Sequence, residues 1–516
     1  MRTRRLPDLA LGMLGVAFGA PSLAWPFGWD TSVHYYVGRE WVLRGAVPYR
    51  DTFDHKTPGI HMLHALCILL FGERMVGIRV VELACVVAIG WACGALASGR
   101  RKPPHVGMRG ACVLAASVLY YGFFDYWNTA QCELVGSTLA VLTLAAAARL
   151  RMRRASVVAG VLTGALLVLK PPFVIFGVLA ACLLWGRARG EAVRGALSVF
   201  ALGIAAVVLP IAAYFVVCGA GPAMVEILVG ANLVYLTDEP RVTTAAGLLG
   251  ELGNAQRFFA PVSTLVLGAG AVAAIAAVVS GSRERRRRWG LTVAAGGAAF
   301  AVVLVQMKLY HYHWSFAVAP MTLVVANVVV DVQRAAGFRA TRRPTVAALA
   351  SAALVIAFTR TGVQLDGWLR SSTAVVAWVT GRTTRERFAS SFQTWDGLRK
   401  YGELEAAGLW LKERAAPDDL VLSRGIDAEI YVVSGHRAPG RFFWTAFLTR
   451  DSRRFHRERW LAEDLRTILD RRPRWVVAWG PDTSGPDSTY FFEQLGYVQR
   501  RRFGPHVILE RGARAN

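Results

Sequence analysis

Charge is scarce in this sequence, and negative charge is the scarcest. Only 18% of its 516 residues are charged, and Asp and Glu number 35 against 59 Lys and Arg. Soluble domains carry about a quarter charged residues, so an ordinary water-soluble fold is excluded. Cysteine is sparse as well. Cys67, Cys85, Cys93, Cys112, Cys132, Cys182 and Cys218 form no C-x-x-C pair, and residues 219–516 contain none. That pattern argues against a disulfide framework and against a zinc site built on thiolates. Internal repeats and low-complexity tracts are also missing.

What the sequence has instead is apolar length. Hydrophobic residues make up 54% of the chain, and the mean hydropathy is +0.37. Runs suited to crossing about 30 Å of hydrocarbon fall near 9–27, 75–98, 110–124, 131–148, 156–172, 173–186, 195–218, 260–280, 289–307, 314–331 and 344–360. The expected fold is a polytopic α-helical membrane protein of about eleven spans. Lys and Arg near span ends are retained in the cytoplasm. With Arg2, Arg4 and Arg5 inside, every second loop is basic: Arg100–Arg109, Arg149–Arg154, Arg187–Arg194, Arg283–Arg288 and Arg334–Arg343. The N-terminus is therefore expected inside and the C-terminus outside. The same loops account for the formal charge of +24, which reads as topology and contact with anionic lipid, not nucleic-acid binding. Ser22-Leu23-Ala24 resembles a signal-peptide cleavage site. The first apolar run is nevertheless long enough to span, and it runs into Trp25-Pro26-Phe27 at the interface, so it is expected to be retained.

Three regions follow: a transmembrane domain at 1–360, an interfacial linker at 361–394 and a water-soluble α/β domain at 395–516. Two extracytoplasmic loops are long, 28–74 and 219–259. Residues 31–44 have helical spacing stopped by Gly45 and Pro48, and 59–71 form an apolar piece too short to span. The last region is expected to open with an amphipathic helix through Leu398, Leu404, Leu409 and Leu411. Strands are expected at 419–423, 430–433, 474–479 and 505–510.

The candidate chemistry gathers in the first long loop. Asp30 follows the first span at the membrane surface, flanked by Trp29 and Tyr35. A carboxylate half shielded from water suits proton acceptance; the same position would also serve as a helix N-cap. The stretch YRDTFDHKTPG at 49–59 packs Arg50, Asp51, Asp54, His55 and Lys56 together. Its cations could hold an anionic leaving group at the height of lipid phosphates. The plainer reading is a solvated loop, but the interleaved Asp51 and Asp54 favour a folded, internally paired one.

At these residues the chain resembles a known family. WDTSVHYY, then LRGAVPYRDTFDHKTPGIHML and FGERMVGIRVVEL, are similar to the N-terminal signature of membrane glycosyltransferases of the C superfamily, the bacterial relatives of protein O-mannosyltransferases and lipid A aminoarabinose transferases (families 39 and 83). The resemblance covers 28–82 closely and the topology to about 360. It implies Asp30 as the base toward an acceptor hydroxyl and Lys56 as the contact to the phosphate of a polyprenyl-phosphate sugar donor. Where many members have two adjacent acids, this chain has Thr31 in second place. His55, Arg50 and Lys308 are further expected donor-phosphate contacts. Tyr35, Asp54, Tyr310, His311 and Glu133 are expected to meet sugar or acceptor. KLYHYHW at 308–314 resembles a late family segment, and an interfacial aromatic belt would read the same way. Lys170 is read equally as a site cation or as a snorkelling lysine. Arg79 and Glu82 are read as a structural pair holding their helix against the first loop.

The implied activity is an inverting hexosyl or pentosyl transferase of glycan biosynthesis in the cell envelope. Its partners are the lipid-linked donor, a lipid, glycan or protein acceptor, and membrane lipids, with no nucleic acid. No metal ligand set is assigned; the reading demands no cofactor and leaves room for a divalent metal. The rival class is a transporter or lipid flippase. Transporters often show paired repeats with ionisable groups near midplane, whereas here the chemistry clusters at one surface.

Overall fold

The apolar runs that fall on described residues form helices. In a computed structural model, residues 6–98, 107–237, 282–306, 308–335, 365–394, 399–445, 456–479 and 488–512 are described, with a few isolated positions between them. Among them, seven helices are long and apolar enough to cross a membrane: Leu6–Ala24, Val76–Ala97, Cys132–Arg149, Met152–Leu169, Glu191–Val217, Arg283–Val305 and His311–Asp331. Pro58–Phe71, Met108–Tyr121, Pro171–Trp185 and Gly221–Tyr235 are shorter apolar helices. Most of the run expected at 260–280, and all of the run at 344–360, lie outside the described residues.

The chain separates into two compact units. The first comprises Met1–Leu23, Ile78–Ile211 and Arg241–Ser372, and the second Ala24–Gly77, Ala212–Pro240 and Thr373–Asn516. The first long loop thus belongs to the same unit as the C-terminal α/β region.

In the first unit small residues let helices approach closely. A Cβ on Gly160 would lie 2.2 Å from the Phe200 carbonyl oxygen and 3.1 Å from Gly203 Cα. Arg79 pairs with Glu82 at 2.7 Å. Its further bonds run to Thr129 Oγ1 and the Tyr126 carbonyl, so the pair braces the connection after Tyr121, where the sequence suggested the first loop. Fully buried ionised groups require such partners.

The second unit contains a four-stranded sheet in the order β1-β2-β4-β3. These strands are β1 (Val421–Ser423), β2 (Trp475–Trp479), β3 (Tyr497–Phe503) and β4 (His506–Arg511). β1 and β2 are parallel, β2 and β4 antiparallel, and β3 and β4 form an antiparallel pair. Leu422, Ile468, Val476, Phe492, Val507 and Leu509 form part of its core. Two expectations need correction. Residues 430–433 lie in a helix, Glu429–Ser434, stopped by Gly435 at φ 77°; β-branched content suggested a strand, but the left-handed glycine closes a helical turn. β3 was not expected at all.

The Trp29–Arg44 helix ends at Gly45, φ 68°, whose N–H reaches the Glu40 and Trp41 carbonyls. It packs on the Pro58–Phe71 helix through Gly38. A Cβ there would lie 2.8 Å from Ala65 N and 3.0 Å from the His61 carbonyl oxygen. Gly38→Ala is expected to wedge the two helices apart and to cost about 1–3 kcal/mol. Thermal unfolding of the full-length protein in detergent checks this; an unchanged midpoint would mean the helices are not held at that spacing.

Candidate functional site

Asp30 lies in the first turn of the Trp29–Arg44 helix, half-buried. The N-cap is Gly28, so Asp30 is no cap; its carboxylate instead meets the positive end of the helix dipole. Tyr35 is buried, with its ring against Phe27 and His64. Burial raises its phenol well above the ordinary value.

The stretch at 49–56 is folded and internally paired. Tyr49 is fully buried and adopts φ 71°, a left-handed conformation that costs a bulky residue energy. The surroundings hold it there: Tyr49 N–H donates to the Thr52 carbonyl at 2.7 Å, and Tyr49 OH donates to the Lys56 carbonyl at 2.9 Å. Phe53 exchanges backbone bonds with the α/β region, its N–H donating to the Arg441 carbonyl and its carbonyl accepting from Trp444 Nε1. Arg50 is exposed and forks onto Asp51 at 2.9 and 2.7 Å.

Asp54 is the hub, only 2% exposed. Oδ2 meets His61 Nε2 at 2.8 Å and His34 Nδ1 at 3.2 Å, and Oδ1 meets His55 Nδ1 at 3.3 Å. Burial works to raise its pKa, but the histidine hydrogen bonds outweigh burial and hold the carboxyl well below the usual range. Burial also pushes His55 down to about 4. His55 is therefore neutral at neutral pH, and Lys56 is the cation beside it. The Lys56 N–H leans on Asp54 Oδ1 at 3.4 Å, so the hub sets the backbone that carries the lysine.

His34, Asp54 and His61 offer ligand atoms within 4.8 Å of one another. Two imidazoles and a carboxylate are donors that zinc accepts. The 2.8 and 3.2 Å separations are ordinary hydrogen-bond lengths, which satisfy the carboxylate without an ion.

The α/β region contributes to the surroundings of Asp30. The Arg399 guanidinium lies 4.2 Å over the Trp29 ring and pairs with Asp427, which also meets His506 Nε2 at 3.1 Å. Next to Asp427, Glu429 is buried. Burial first, then the charge of Asp427 and more weakly that of Asp30, push its carboxyl up to about 8. Nothing in the sequence marks Glu429, which stands just before the 430–433 run expected as a strand.

A carboxyl whose folded pKa is raised stabilises the fold fully below its ordinary value of 4.5 and loses that contribution as pH rises to about 8. Glu429→Gln should remove this term. Between pH 4.5 and 8 the unfolding midpoint of wild type is expected to decline relative to the variant. Parallel curves would show that Glu429 ionises normally.

The remaining expected residues lie in the first unit. Glu133 is fully buried in the first turn of its helix, 2.5 Å from Lys170 Nζ and 4.0 Å from His313 Nε2. Lys170 also reaches Gln306, so it is an ion-pair partner and does not snorkel. Lys308 is buried at 3% exposure, Tyr310 precedes the His311–Ala317 turn, and His311 Nδ1 lies 3.1 Å from Asn128 Nδ2. Asp30, Tyr35, Arg50, Asp54, His55 and Lys56 are thus in one unit, and Glu133, Lys308, Tyr310 and His311 in the other.

No protein-family model matches the sequence. No curated protein matches it either. Among solved structures, the chain is similar to ArnT from Cupriavidus metallidurans bound to undecaprenyl phosphate, with a TM-score of 0.59, 14% identity and 98% of each chain covered. Over nearly its whole length, the chain shares the fold of ArnT.

Proposed function

We propose that the protein is a membrane glycosyltransferase that moves a sugar from a polyprenyl-phosphate donor to an acceptor hydroxyl at the extracytoplasmic face. The observation that carries this reading is the end-to-end likeness to ArnT, whose structure holds undecaprenyl phosphate. Asp30 in a helix first turn and Lys56 on a hub-braced loop support it from this chain's own residues.

Asp30 takes the proton of the acceptor hydroxyl as its oxygen attacks the anomeric carbon. The bond from that carbon to the phosphate oxygen breaks, and the lipid phosphate leaves with the electron pair. Lys56, and Arg50 where it reaches, receive the anion. Lipid phosphate leaves without protonation, so one carboxylate suffices, and a single displacement inverts the anomeric centre.

The test is transfer of radiolabelled sugar from lipid-linked donors in membranes containing wild type or Lys56→Ala. Wild type should transfer, and the variant should bind donor about 10-fold or more weakly, the loss of one charged contact. Donor bound equally by both, or movement of intact donor across vesicles without transfer, would overturn the reading in favour of a transporter.

A further inference from the structure

Apart from Arg50, the arginines around the far end of the Trp29–Arg44 helix are not used by the proposed reaction. They line a cleft of about 430 Å³ within the second unit, bounded by Tyr36, Glu40, the 44–52 turn, Leu420, the 437–441 segment, Glu463 and Arg471. Glu40 lies ten residues beyond Asp30, which a helix converts to about 15 Å. The cleft is therefore a separate place from the Asp30 carboxylate.

Five arginines face three carboxylates there, leaving an excess of positive charge. Glu40, 2% exposed, anchors two of them, Arg44 at 3.2 Å and Arg437 at 3.1 Å. Glu463 forks onto Arg441 at 2.7 and 2.6 Å, and Asp51 orients Arg50. Each acid fixes a guanidinium by one edge. Arg437 spends only Nε on Glu40, and its two Nη groups have no acceptor among the described residues. Arg471 has no carboxylate partner among the described residues, although it lines the same cleft.

The lining is also tied to residues 214–218 of the same unit. Arg50 Nη1 donates to the Cys218 carbonyl at 2.7 Å, and Trp41 Nε1 donates to Tyr214 OH at 2.6 Å. Planar guanidinium forks, pre-oriented and in charge excess, match the oxygens of a phosphate group.

We propose that this cleft is a phosphate-binding subsite, distinct from the Asp30–Lys56 site, which takes the phosphate ester of a lipid headgroup or of a water-soluble ligand. Arg437 and Arg471 are its principal free contacts. Arg44 and Arg441 close it.

The experiment uses full-length protein in nanodiscs of phosphatidylcholine, with glycerol 1-phosphate as probe and calorimetric or thermophoretic detection. Wild type is expected to bind saturably and more weakly as salt rises. The double variant Arg437→Gln/Arg471→Gln should bind at least about 10-fold more weakly, from the loss of two charge-assisted contacts. Arg414→Gln, outside the cleft lining, should bind as wild type. In nanodiscs containing phosphatidylglycerol, suppressed probe binding would make the headgroup the occupant, and unchanged binding would make it a soluble phosphate ester; both support the subsite. No saturable binding by wild type, or equal binding by the double variant, overturns it. The assay contains no sugar donor, so the subsite and the proposed transfer reaction fail independently.

Discussion

Asp30→Asn is expected to lower sugar transfer by about 10²–10⁴-fold, the contribution of a positioned general base, while membrane insertion and donor binding stay at wild-type levels. The substitution is isosteric. It keeps a hydrogen-bonding side chain in the first turn of the Trp29–Arg44 helix and removes only the basic lone pair and the charge. A purely structural role predicts something much smaller. An acid at a helix N-terminus contributes about 0.3–1 kcal/mol to stability, which would shift an unfolding midpoint slightly and leave turnover in the folded fraction intact. Measuring transfer per folded molecule separates the two. If Asp30→Asn transfers as well as wild type, the base lies elsewhere, and the first-turn carboxylate serves the helix alone.

Much of the scaffold around Asp30 can be read from the sequence. Helical spacing from Val33 to Arg44 and the stop at Gly45 place the helix within two residues of its observed start, Trp29. Apolar runs place the long helices because every backbone polar group in hydrocarbon must be satisfied within its own segment. The interleaving of Asp51 and Asp54 with cations foretells a folded loop. It does not foretell the partners, because His34 and His61 stand twenty and seven residues from Asp54. They converge only where the absent side chain of Gly38 lets two helices touch.

The misses have physical causes of the same kind. β3 reads YVQRRRF, and only its first residue is buried. An edge strand with so little core contact shows no alternation to detect. The helix at Glu429–Ser434 is six residues long, too short for a 3.6-residue period to stand out against Ile430, Val432 and Val433. Arg399 and Glu429 come near Asp30 through tertiary packing alone, some 370 or more residues later in the chain.

Arg39→Ala is expected to destabilise the second unit by about 3–5 kcal/mol, the cost of breaking a buried ion pair by removing one partner. Arg39 is 1% exposed and occupies three acceptors at once. Nη1 donates to the Tyr431 carbonyl at 2.8 Å, Nη2 to the His436 carbonyl at 2.8 Å, and Nε and Nη2 to Glu40 Oε1 at 3.2 and 3.0 Å. Removing it leaves the His436 carbonyl without its donor, leaves the Tyr431 carbonyl with the Gly435 N–H alone, and opens a cavity the length of the side chain. Glu40 would keep Arg44 and Arg437, which are more exposed and so better screened. Arg39→Lys should recover only part of the loss, since one ammonium cannot reproduce a planar fork reaching in three directions. These bonds tie the helix that carries Asp30 to the turn around Tyr431 and His436. The unfolding transition of Arg39→Ala in detergent should therefore fall to lower temperature and take transfer activity with it. Full stability in Arg39→Ala would mean that packing alone holds this helix, and that the buried arginine is dispensable to the fold.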